Sequence, residues 1–388
     1  MNMKKLFPLS LAVLAAAGTL IAAKPTAMAV RADEALAPIC KSAYLCDYES
    51  GTQIYSKNET ERLPIASMCK IMTLLLSFEA VDSGALDYGE MITVSENASG
   101  MGGSQVFLGT NLSYRADELM KTVAVCSAND SCVALAERIG GSESAFIERM
   151  NERAKELGAE NTLFANCTGL PKEPQYSCAK DVSVMLRELL KHQKYYEFSR
   201  VWLEDFSHPD GRTTQITNTN KLIRFYDGCD GGKTGFTNEA GFCLAATAKR
   251  GDMRIVSVMI GADNSKQRFA DTTAMLNYSF NQYETKRVLE AGELDVTAGI
   301  SGSRVKTLPV IAENPLSVFR KKGTEDNYQV EYILDGEIKA PVKSGDEIGT
   351  AVLYVDGTEV RKTRLLAGAD ADRFSWWDAV REGAEHWN

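Results

Sequence analysis

Three short groups of residues in this chain could together carry out acyl transfer. The groups are Ser67-Met-Cys-Lys70, Ser127-Ala-Asn129 and Lys233-Thr-Gly235. A serine hydroxyl is a poor nucleophile until a base removes its proton, and an exposed lysine stays protonated at neutral pH. The apolar residues after Lys70 indicate a buried setting, and burial together with a second cation lowers the pKa of a lysine. We therefore predict Ser67 as the nucleophile, Lys70 as its base and Lys233 as the second cation.

The second and third groups could supply the rest of such a site. Ser127 can pass a proton between the base and a leaving amine, while Asn129 can hold the base and a substrate amide in place. Lys233 and Thr234 offer a cation and a hydroxyl, which suit a substrate carboxylate. Gly235 lies in a glycine-rich stretch, where a substrate backbone can approach closely. These residues predict a site for a peptide that ends in a carboxylate.

The Ser-x-x-Lys spacing alone does not identify the nucleophile, because serine and lysine are common residues. The same spacing begins at Ser177 and at Ser303. Ser177 precedes an amphipathic helical pattern, which favours a role as a helix cap. Ser303 lies in a β-rich stretch, where a solvated strand end is expected. Ser67 instead begins an apolar helical segment, so Lys70 should lie one turn along on the same face, with helix N-terminal amides beside the hydroxyl.

The elements that position these groups are predicted from periodicity. Strand patterns occupy residues 43–48, 52–55, 242–248 and 254–261, and helical patterns occupy 68–81, 117–125, 132–139, 143–157, 180–191 and 266–283. Strands at both ends with helices between them indicate an antiparallel sheet flanked by helices, an α/β fold of the α+β kind. Beyond about residue 285, short β-type runs alternate with glycine turns. We predict a catalytic domain at 30–284 and a small all-β domain at 285–368.

The two ends of the chain carry signals for location. Residues 1–29 combine two lysines, an apolar run and the small-residue sequence Ala27-Met-Ala29, which is typical of a cleaved export signal. Residues 369–388 place Trp376, Trp377 and Trp387 on one side of a helical pattern. This pattern predicts either peripheral membrane contact or packing on the protein's own domain. We expect an exported protein at the outer face of the cytoplasmic membrane, in the cell wall or in the medium.

Charge and cysteine content argue against several classes of protein. The formal net charge is −9, which argues against nucleic acid as a partner. Nine cysteines are an odd number, so at least one thiol should be free. The chain has no Cys-x-x-Cys pair and only three histidines. We therefore predict no metal site and no cofactor.

The order Ser-x-x-Lys, Ser-x-Asn, Lys-Thr-Gly resembles the motif set of penicillin-binding proteins and serine β-lactamases. The sequences around the three groups narrow the resemblance to low-molecular-mass penicillin-binding proteins, the serine-type D-alanyl-D-alanine carboxypeptidases. The stretches that carry it are 64–73, 127–130, 166–170 and 230–237. The likeness runs from about residue 36 to 283, and the β-rich remainder resembles the C-terminal domain of the same enzymes.

This resemblance implies a two-step reaction in peptidoglycan metabolism. Ser67 attacks the carbonyl between the two terminal D-alanines of a stem peptide, one D-alanine leaves, and water clears the acyl-enzyme. The backbone N–H groups of Ser67 and Phe236 form the oxyanion hole. The resemblance also implies covalent binding of penicillin and other β-lactam antibiotics.

Several alternatives remain open at the level of sequence. A β-lactamase shares the motifs but needs a device for fast deacylation, and no glutamate for that purpose stands out. A non-catalytic module that senses penicillin or binds the wall needs no complete set of nucleophile and base. A Ser-His-Asp hydrolase is disfavoured because no Gly-x-Ser-x-Gly elbow is present. Cys69, between nucleophile and base, predicts either sensitivity to thiol reagents or simple buried packing.

Overall fold

The structure is a computed structural model that describes residues 36–325 and 327–376. The predicted export signal at 1–29 lies outside these residues. Of the helix predicted at 369–388, residues 369–375 are not helical, because Ala371 pairs with Val342 in a β-bridge, and the residues beyond Trp376 lie outside the described ranges. No helix in the described ranges is both long and apolar enough to cross a membrane.

Helices and strands alternate as follows. The strands of the first part are β1 (Ser42–Asp47), β2 (Gln53–Lys57), β3 (Met91–Thr93), β4 (Ser113–Arg115), β5 (Leu203–Ser207), β6 (Thr213–Thr217), β7 (Cys229–Thr237), β8 (Gly241–Arg250) and β9 (Met253–Ala262). The helices are α1 (Lys70–Asp82), α2 (Glu96–Ser99), α3 (Ala116–Cys126), α4 (Asn129–Gly140), α5 (Glu143–Glu156), α6 (Ala179–Leu189), α7 (Gln193–Ser199), α8 (Leu222–Phe225) and α9 (Ser265–Gln282). The strands of the last part are β10 (Tyr283–Leu289), β11 (Gly292–Ser301), β12 (Thr307–Ala312), β13 (Leu316–Lys321), β14 (Tyr328–Leu334), β15 (Ile338–Lys339), β16 (Glu347–Val355) and β17 (Thr358–Ala367).

A five-stranded antiparallel sheet in the order β2-β1-β9-β8-β7 forms the centre of the first part. Successive residues of a strand face opposite sides of a sheet. Tyr44 and Cys46 accordingly pack in the core shared with α1 and α6, whereas Ala43 and Leu45 pack in the core shared with α9. The sheet is therefore covered by helices on both faces, which confirms the predicted fold class.

Helix α1 lies in the middle of the helical layer and carries the predicted base at its first residue. It packs against α3, α4 and α6, and its apolar side chains are buried around the whole helix. A helix that is apolar on all sides is stable only inside a core. Each buried leucine or phenylalanine contributes about 1.5–3 kcal/mol relative to exposure. The start of α1 is thus held rigidly beside the sheet.

Strand β7 is not among the strands predicted from periodicity, which resume only at residue 242. The glycine-rich segment is instead the edge strand of the central sheet. A Cβ on Gly235 would lie 2.7 Å from the carbonyl oxygen of Ile65 and 3.1 Å from the nitrogen of Ser67. Glycine is needed there because the strand touches the backbone that carries the nucleophile. Another difference is the β5–β6 hairpin, which lies between residues 191 and 242, where periodicity predicts neither a helix nor a strand.

Ser177 and Ser303, the two other serines with Ser-x-x-Lys spacing, have surroundings that differ from those predicted. Ser177 does not cap α6, because the cap is Cys178, whose sulfur accepts a hydrogen bond from the nitrogen of Asp181. Ser177 pairs instead with the hydroxyl of Thr162 at 2.8 Å. Ser303 is buried rather than solvated, and its hydroxyl accepts a bond from the nitrogen of Val305. Both serines have local structural bonds.

The last part of the chain is all-β, as predicted. Its main sheet has six strands in the order β14-β16-β17-β12-β11-β15, and β10 pairs with β13 in a second ladder. Its own core includes Leu308, Leu316, Leu353 and Leu365. The domain therefore has a core separate from the two that flank the central sheet.

Candidate active site

Ser67 and Lys70 lie at the junction of a single 3-10 turn (Ala66–Cys69) with helix α1. The Lys70 ammonium donates to the Ser67 hydroxyl at 2.9 Å and to the carbonyl oxygen of Thr168 at 2.5 Å. Ser67 is partly exposed, while Lys70 is fully buried. Ala66 has a left-handed φ of 47°, a strained conformation that commonly marks functional sites. The spacing predicted from sequence thus becomes a direct contact.

Two buried lysines share this site without a neutralising carboxylate. In the described part of the chain, neither Lys70 nor Lys233 forms an ion pair with aspartate or glutamate, and the Lys233 ammonium donates to the carbonyl of Thr234 at 3.1 Å. Burial lowers the pKa of Lys70. Burial and then the charge of Lys70 lower the pKa of Lys233 well below its usual value. The repulsion is mutual, so each lysine favours the neutral form of the other.

Ser127 occupies the corner between α3 and α4. Its φ is 67°, again left-handed for a residue other than glycine. Its hydroxyl is buried and has no hydrogen-bond partner among the described residues. A buried hydroxyl without a partner costs free energy, so its retention suggests a partner supplied by substrate. Ser127 is therefore available for proton transfer.

Asn129 begins α4 and is fixed by residues 102–104. Its nitrogen donates to the carbonyl of Ser104 at 2.7 Å, and its side-chain amide donates to the carbonyl of Gly102 at 2.6 Å. Its Oδ1 has no partner within the described ranges. The sequence prediction that Asn129 holds the base is not reflected in these bonds, since Lys70 donates to Ser67 and Thr168. The free Oδ1 suits a substrate N–H.

The segment from Asn166 to Gly169 supplies a contact that the sequence did not reveal. Asn166 Oδ1 accepts bonds from the nitrogens of Thr168 and Gly169 at 3.1 and 2.7 Å, which fixes the Thr168 carbonyl against Lys70. Gly169 has a φ of 80°, and a Cβ there would lie 2.0 Å from the carbonyl oxygen of Ala66. A backbone carbonyl has no residue-type signal, so only the structure could identify this acceptor.

The last residues of β7 include the remaining predicted site residues. Thr234 donates to the hydroxyl of Thr219 at 2.8 Å. Phe236 is 51% exposed, and its ring centroid lies 4.3 Å from that of Phe242. Behind the strand, Arg268 donates to the carbonyl of Gly235 at 3.3 Å. This part of the site therefore combines an open strand edge with buried cations.

Arg268 is a candidate functional residue that sequence reasoning missed. Its guanidinium is buried, its Nε has no partner in the described part, and burial lowers its pKa to about 10. The rings of Phe242 and Phe269 flank it. A buried cation beside Lys-Thr-Gly would attract a substrate carboxylate. No short sequence pattern around residue 268 indicates this role.

The cysteines near the site are packing residues. All nine cysteines of the chain are free thiols, and Cys126 alone is partly exposed. Cys69 is 1% exposed, its thiol donates to the carbonyl of Asn166 at 3.2 Å, and burial raises its pKa. A protonated, inaccessible thiol reacts slowly. The hypothesis of reagent sensitivity at Cys69 is therefore not supported.

These contacts define a class of protein. The Ser67 hydroxyl is bound by the buried Lys70. Among the described residues, the Ser127 hydroxyl has no partner, and Lys70 and Lys233 have no carboxylate partner. This arrangement fits nucleophilic acyl transfer. Within residues 36–325 and 327–376, no group of three or more histidine, cysteine or acidic side chains could hold a metal. The fold and the site together are those of a serine enzyme that catalyses acyl transfer.

Comparison with known proteins identifies the family. Residues 27–264 match the family model described as D-alanyl-D-alanine carboxypeptidase, and residues 283–373 match the model described as penicillin-binding protein 5, C-terminal domain. The first match alone spans more than half of the chain, and the chain belongs to the D-alanyl-D-alanine carboxypeptidase family. The family predicted from the motifs is confirmed.

Individual relatives agree in sequence and fold. The D-alanyl-D-alanine carboxypeptidase DacF of Bacillus subtilis (strain 168) is 38% identical over 353 residues, covering 91% of this chain and 91% of the relative. DacC of Escherichia coli (strain K12) is 30% identical over 376 residues, covering 94% and 93%. The crystal structure of penicillin binding protein 5 from Haemophilus influenzae has a TM-score of 0.66 at 29% identity, covering 86% of this chain and 98% of that chain. The likeness therefore extends over both parts of the molecule.

Proposed function

We propose that this chain is a serine-type D-alanyl-D-alanine carboxypeptidase that removes the terminal D-alanine from peptidoglycan stem peptides and binds β-lactam antibiotics covalently. The observation that carries the proposal is the 2.9 Å contact between the partly exposed Ser67 hydroxyl and the buried Lys70. The names of DacF and DacC, both D-alanyl-D-alanine carboxypeptidases, support the same activity. Burial lowers the pKa of Lys70 and so favours the neutral amine that a base needs.

The first half of the reaction forms the acyl-enzyme. Neutral Lys70 takes the proton of Ser67, and Oγ attacks the carbonyl between the two terminal D-alanines. The N–H groups of Ser67 and Phe236 stabilise the oxyanion. The C–N bond then breaks, Ser127 delivers its proton to the leaving amine of the terminal D-alanine, and Lys70 passes the proton taken from Ser67 to Ser127, so that Lys70 is neutral again. Its carboxylate is held by Lys233 and Thr234, with Arg268 behind the strand.

The second half restores the enzyme. Water enters where the D-alanine left and gives up a proton to Lys70 as it attacks the ester carbonyl. The tetrahedral intermediate uses the same oxyanion donors. The ester bond to Ser67 Oγ breaks, Lys70 returns a proton to that oxygen, and the shortened stem peptide departs.

Release of free D-alanine from a synthetic acyl-D-Ala-D-Ala peptide tests the activity. We expect release by the wild-type protein and none by Ser67→Ala, with Ser301→Ala in the C-terminal domain as a control that keeps full activity. Labelled penicillin distinguishes the related functions. An acyl-enzyme that lasts minutes fits the carboxypeptidase, whereas rapid turnover would indicate a β-lactamase. Acylation with no D-alanine release would indicate a penicillin-sensing module and overturn the proposal.

We also propose that the chain works outside the cytoplasm and that residues 369–388 contact the membrane surface. The export pattern of residues 1–29 and the relatives' names, which point to peptidoglycan as substrate, support an extracytoplasmic site. Fractionation of cells that produce the full chain, or a chain ending at residue 368, tests membrane contact. We expect the full chain with membranes and the shortened chain in the soluble fraction. The same distribution for both would contradict membrane contact through this segment.

A further inference from the structure

Asp130 is a buried carboxylate that the proposed reaction does not use. It follows Asn129 in the first turn of α4 and is 0% exposed. One of its oxygens accepts from the nitrogens of Val106 and Leu108, each at 3.1 Å, and the other accepts from Ser131 at 2.9 Å. None of the described cations forms an ion pair with it. Two of its bonds therefore hold a loop that is more than twenty residues away in the chain.

The same loop fixes Asn129. Gly102 and Ser104 accept the side-chain and backbone N–H groups of Asn129 at 2.6 and 2.7 Å. A Cβ on Gly103 would lie 2.8 Å from Asn129 Nδ2, so the loop fits tightly against the amide. Residues 102–108, which we name the Asn129 loop, thus bind two consecutive residues of α4. They accept hydrogen bonds from Asn129 and donate hydrogen bonds to Asp130.

Between the two amides bound by Asp130, the backbone is strained. Phe107 has a left-handed φ of 62° and a side chain that is 54% exposed. Such a conformation persists only where surrounding bonds impose it. Bonds from Val106 and Leu108 to Asp130 impose it from both sides.

The other side of the Asn129 loop has anchors of its own. Thr214 in strand β6 donates to the carbonyl of Val106 at 3.3 Å, and the Arg212 guanidinium donates to the carbonyl of Phe107 at 3.4 Å. Loss of the Asp130 bonds should therefore loosen the loop without detaching it. The effect on Asn129 can then be separated from global unfolding.

We propose that Asp130 is a positioning residue, whose carboxylate fixes the Asn129 loop so that the Asn129 side chain has a single orientation toward substrate. The Gly102 carbonyl holds the side-chain NH2 group, which leaves Oδ1 for a substrate N–H. This inference rests on the proposed function, because it assigns Asn129 a role in holding the peptide. Asp130 acts by fixing the position of Asn129, because even a small displacement of a group that holds the substrate slows the reaction strongly.

Asp130→Asn tests the proposal because it keeps the shape of the side chain and replaces one acceptor oxygen by a donor NH2. Asp47→Asn is a matched control. Asp47 is 2% exposed, and its carboxylate accepts from the nitrogen and hydroxyl of Ser50 at 2.7 and 2.6 Å, in the turn after β1. We expect similar losses in Tm for both variants. Below both Tm values, Asp130→Asn should acylate with labelled penicillin about tenfold more slowly, while Asp47→Asn stays within about twofold of wild type.

A double-mutant cycle separates positioning from a structural role. If Asp130 acts through Asn129, Asp130→Asn should slow D-alanine release little further in an Asn129→Ala background. Additive effects, or equal acylation rates for Asp130→Asn and Asp47→Asn, would overturn the inference while leaving the carboxypeptidase activity intact. Absence of D-alanine release by the wild type would instead overturn the proposed function.

Hydrogen exchange covers the case in which Asp130→Asn does not fold. In the wild-type protein, the amides of Val106 and Leu108 should be strongly protected although they lie in a loop. The amide of Asp210, an exposed residue of the β5–β6 turn whose N–H has no hydrogen-bond partner among the described residues, provides the comparison. Exchange of Val106 and Leu108 as fast as Asp210 would contradict the proposal.

Discussion

Strand β7 carries two buried charged residues, Asp230 and Lys233, that differ in whether an opposite charge pairs with them. At its start, Asp230 receives two bonds of 2.7 Å from the Arg254 guanidinium, one to each oxygen. Three residues further on, Lys233 is buried near Lys70 with no carboxylate partner among the described residues. Burial lowers the pKa of Arg254, but the bonds and charge of Asp230 outweigh it and raise the pKa above the usual value. Both lysines have lowered pKa values.

The difference shows how one strand supports both structure and chemistry. A buried pair with bidentate geometry keeps both charges and holds the strand in place. A buried lysine without a partner is driven toward its neutral form, which is the form a base needs. The paired charges of Arg254 and Asp230 therefore stabilise the fold, whereas we propose that the two buried lysines take part in the reaction.

The largest expected effect is on catalysis when Lys70 is replaced. Lys70→Met removes the base and should lower the acylation rate by about 10³-fold or more. It also removes an unpaired buried charge, so the free energy of unfolding should stay equal or increase. Labelled-penicillin kinetics and urea unfolding measure the two quantities. A marked loss of stability would contradict the view that Lys70 is present for chemistry alone.

The reverse pattern is expected for the paired group. Arg254→Met leaves the buried Asp230 with only the more exposed Arg200 as a cation among the described residues, and should cost about 3–5 kcal/mol of unfolding free energy. Arg364→Met, which breaks an exposed pair with Glu313, provides the control and should cost less than about 1 kcal/mol. Urea unfolding compares them. Equal losses would mean that burial does not distinguish the two pairs.

The pH dependence of acylation tests whether the charge of Lys233 affects the pKa of Lys70. In the proposed reaction, acylation needs neutral Lys70, so the acylation rate should rise as pH increases through the lowered pKa of Lys70 and be lost below it. Lys233→Met removes a neighbouring cation, which raises the pKa of Lys70 and moves this rise about one pH unit upward. The residual acylation rate is measured across pH, with Lys249→Met, on the adjacent strand's solvent end, as the control. A rise at unchanged pH would contradict electrostatic coupling between the lysines.

The smallest effect is expected at Gly232, which lies between Asp230 and Lys233 in strand β7. The Tyr195 hydroxyl accepts from the nitrogen of Gly232 at 3.0 Å and donates to its carbonyl at 3.2 Å, just before Lys233. The neighbouring Tyr196 hydroxyl donates to the carbonyl of Leu190 at 2.9 Å. Tyr195→Phe and Tyr196→Phe should each cost about 1 kcal/mol of stability.

Substrate affinity should distinguish the two tyrosine variants. We expect KM to rise by about threefold in Tyr195→Phe alone, because Lys233, which we propose to hold the substrate carboxylate, is displaced when the strand loosens. KM in Tyr196→Phe should match the wild type. A similar KM in both variants would show that Tyr195 serves stability only.

The amino-acid sequence by itself determined the parts of the site that depend on spacing within one element. Ser67 and Lys70 are one helical turn apart, and the apolar run after them requires a buried helix, so their contact follows from local geometry. The strands and helices predicted from periodicity are largely present, because each has a face or a whole surface that must be buried. The family also follows from the order of the three motifs.

Only the tertiary structure decided which distant groups meet. The Thr168 carbonyl on Lys70, the Gly102 carbonyl on Asn129 and the guanidinium of Arg268 behind Gly235 join residues far apart in the chain. Backbone acceptors carry no residue-type signal, and a buried arginine in a helix reads as an ordinary surface cation until its neighbours are known. The sequence also did not show that Lys233-Thr-Gly235 lies in a strand, because Gly235 is required for close contact with the 3-10 turn rather than for a loop. The sequence therefore predicted the reacting groups, whereas long-range packing determines their orientation and the direction of their pKa shifts.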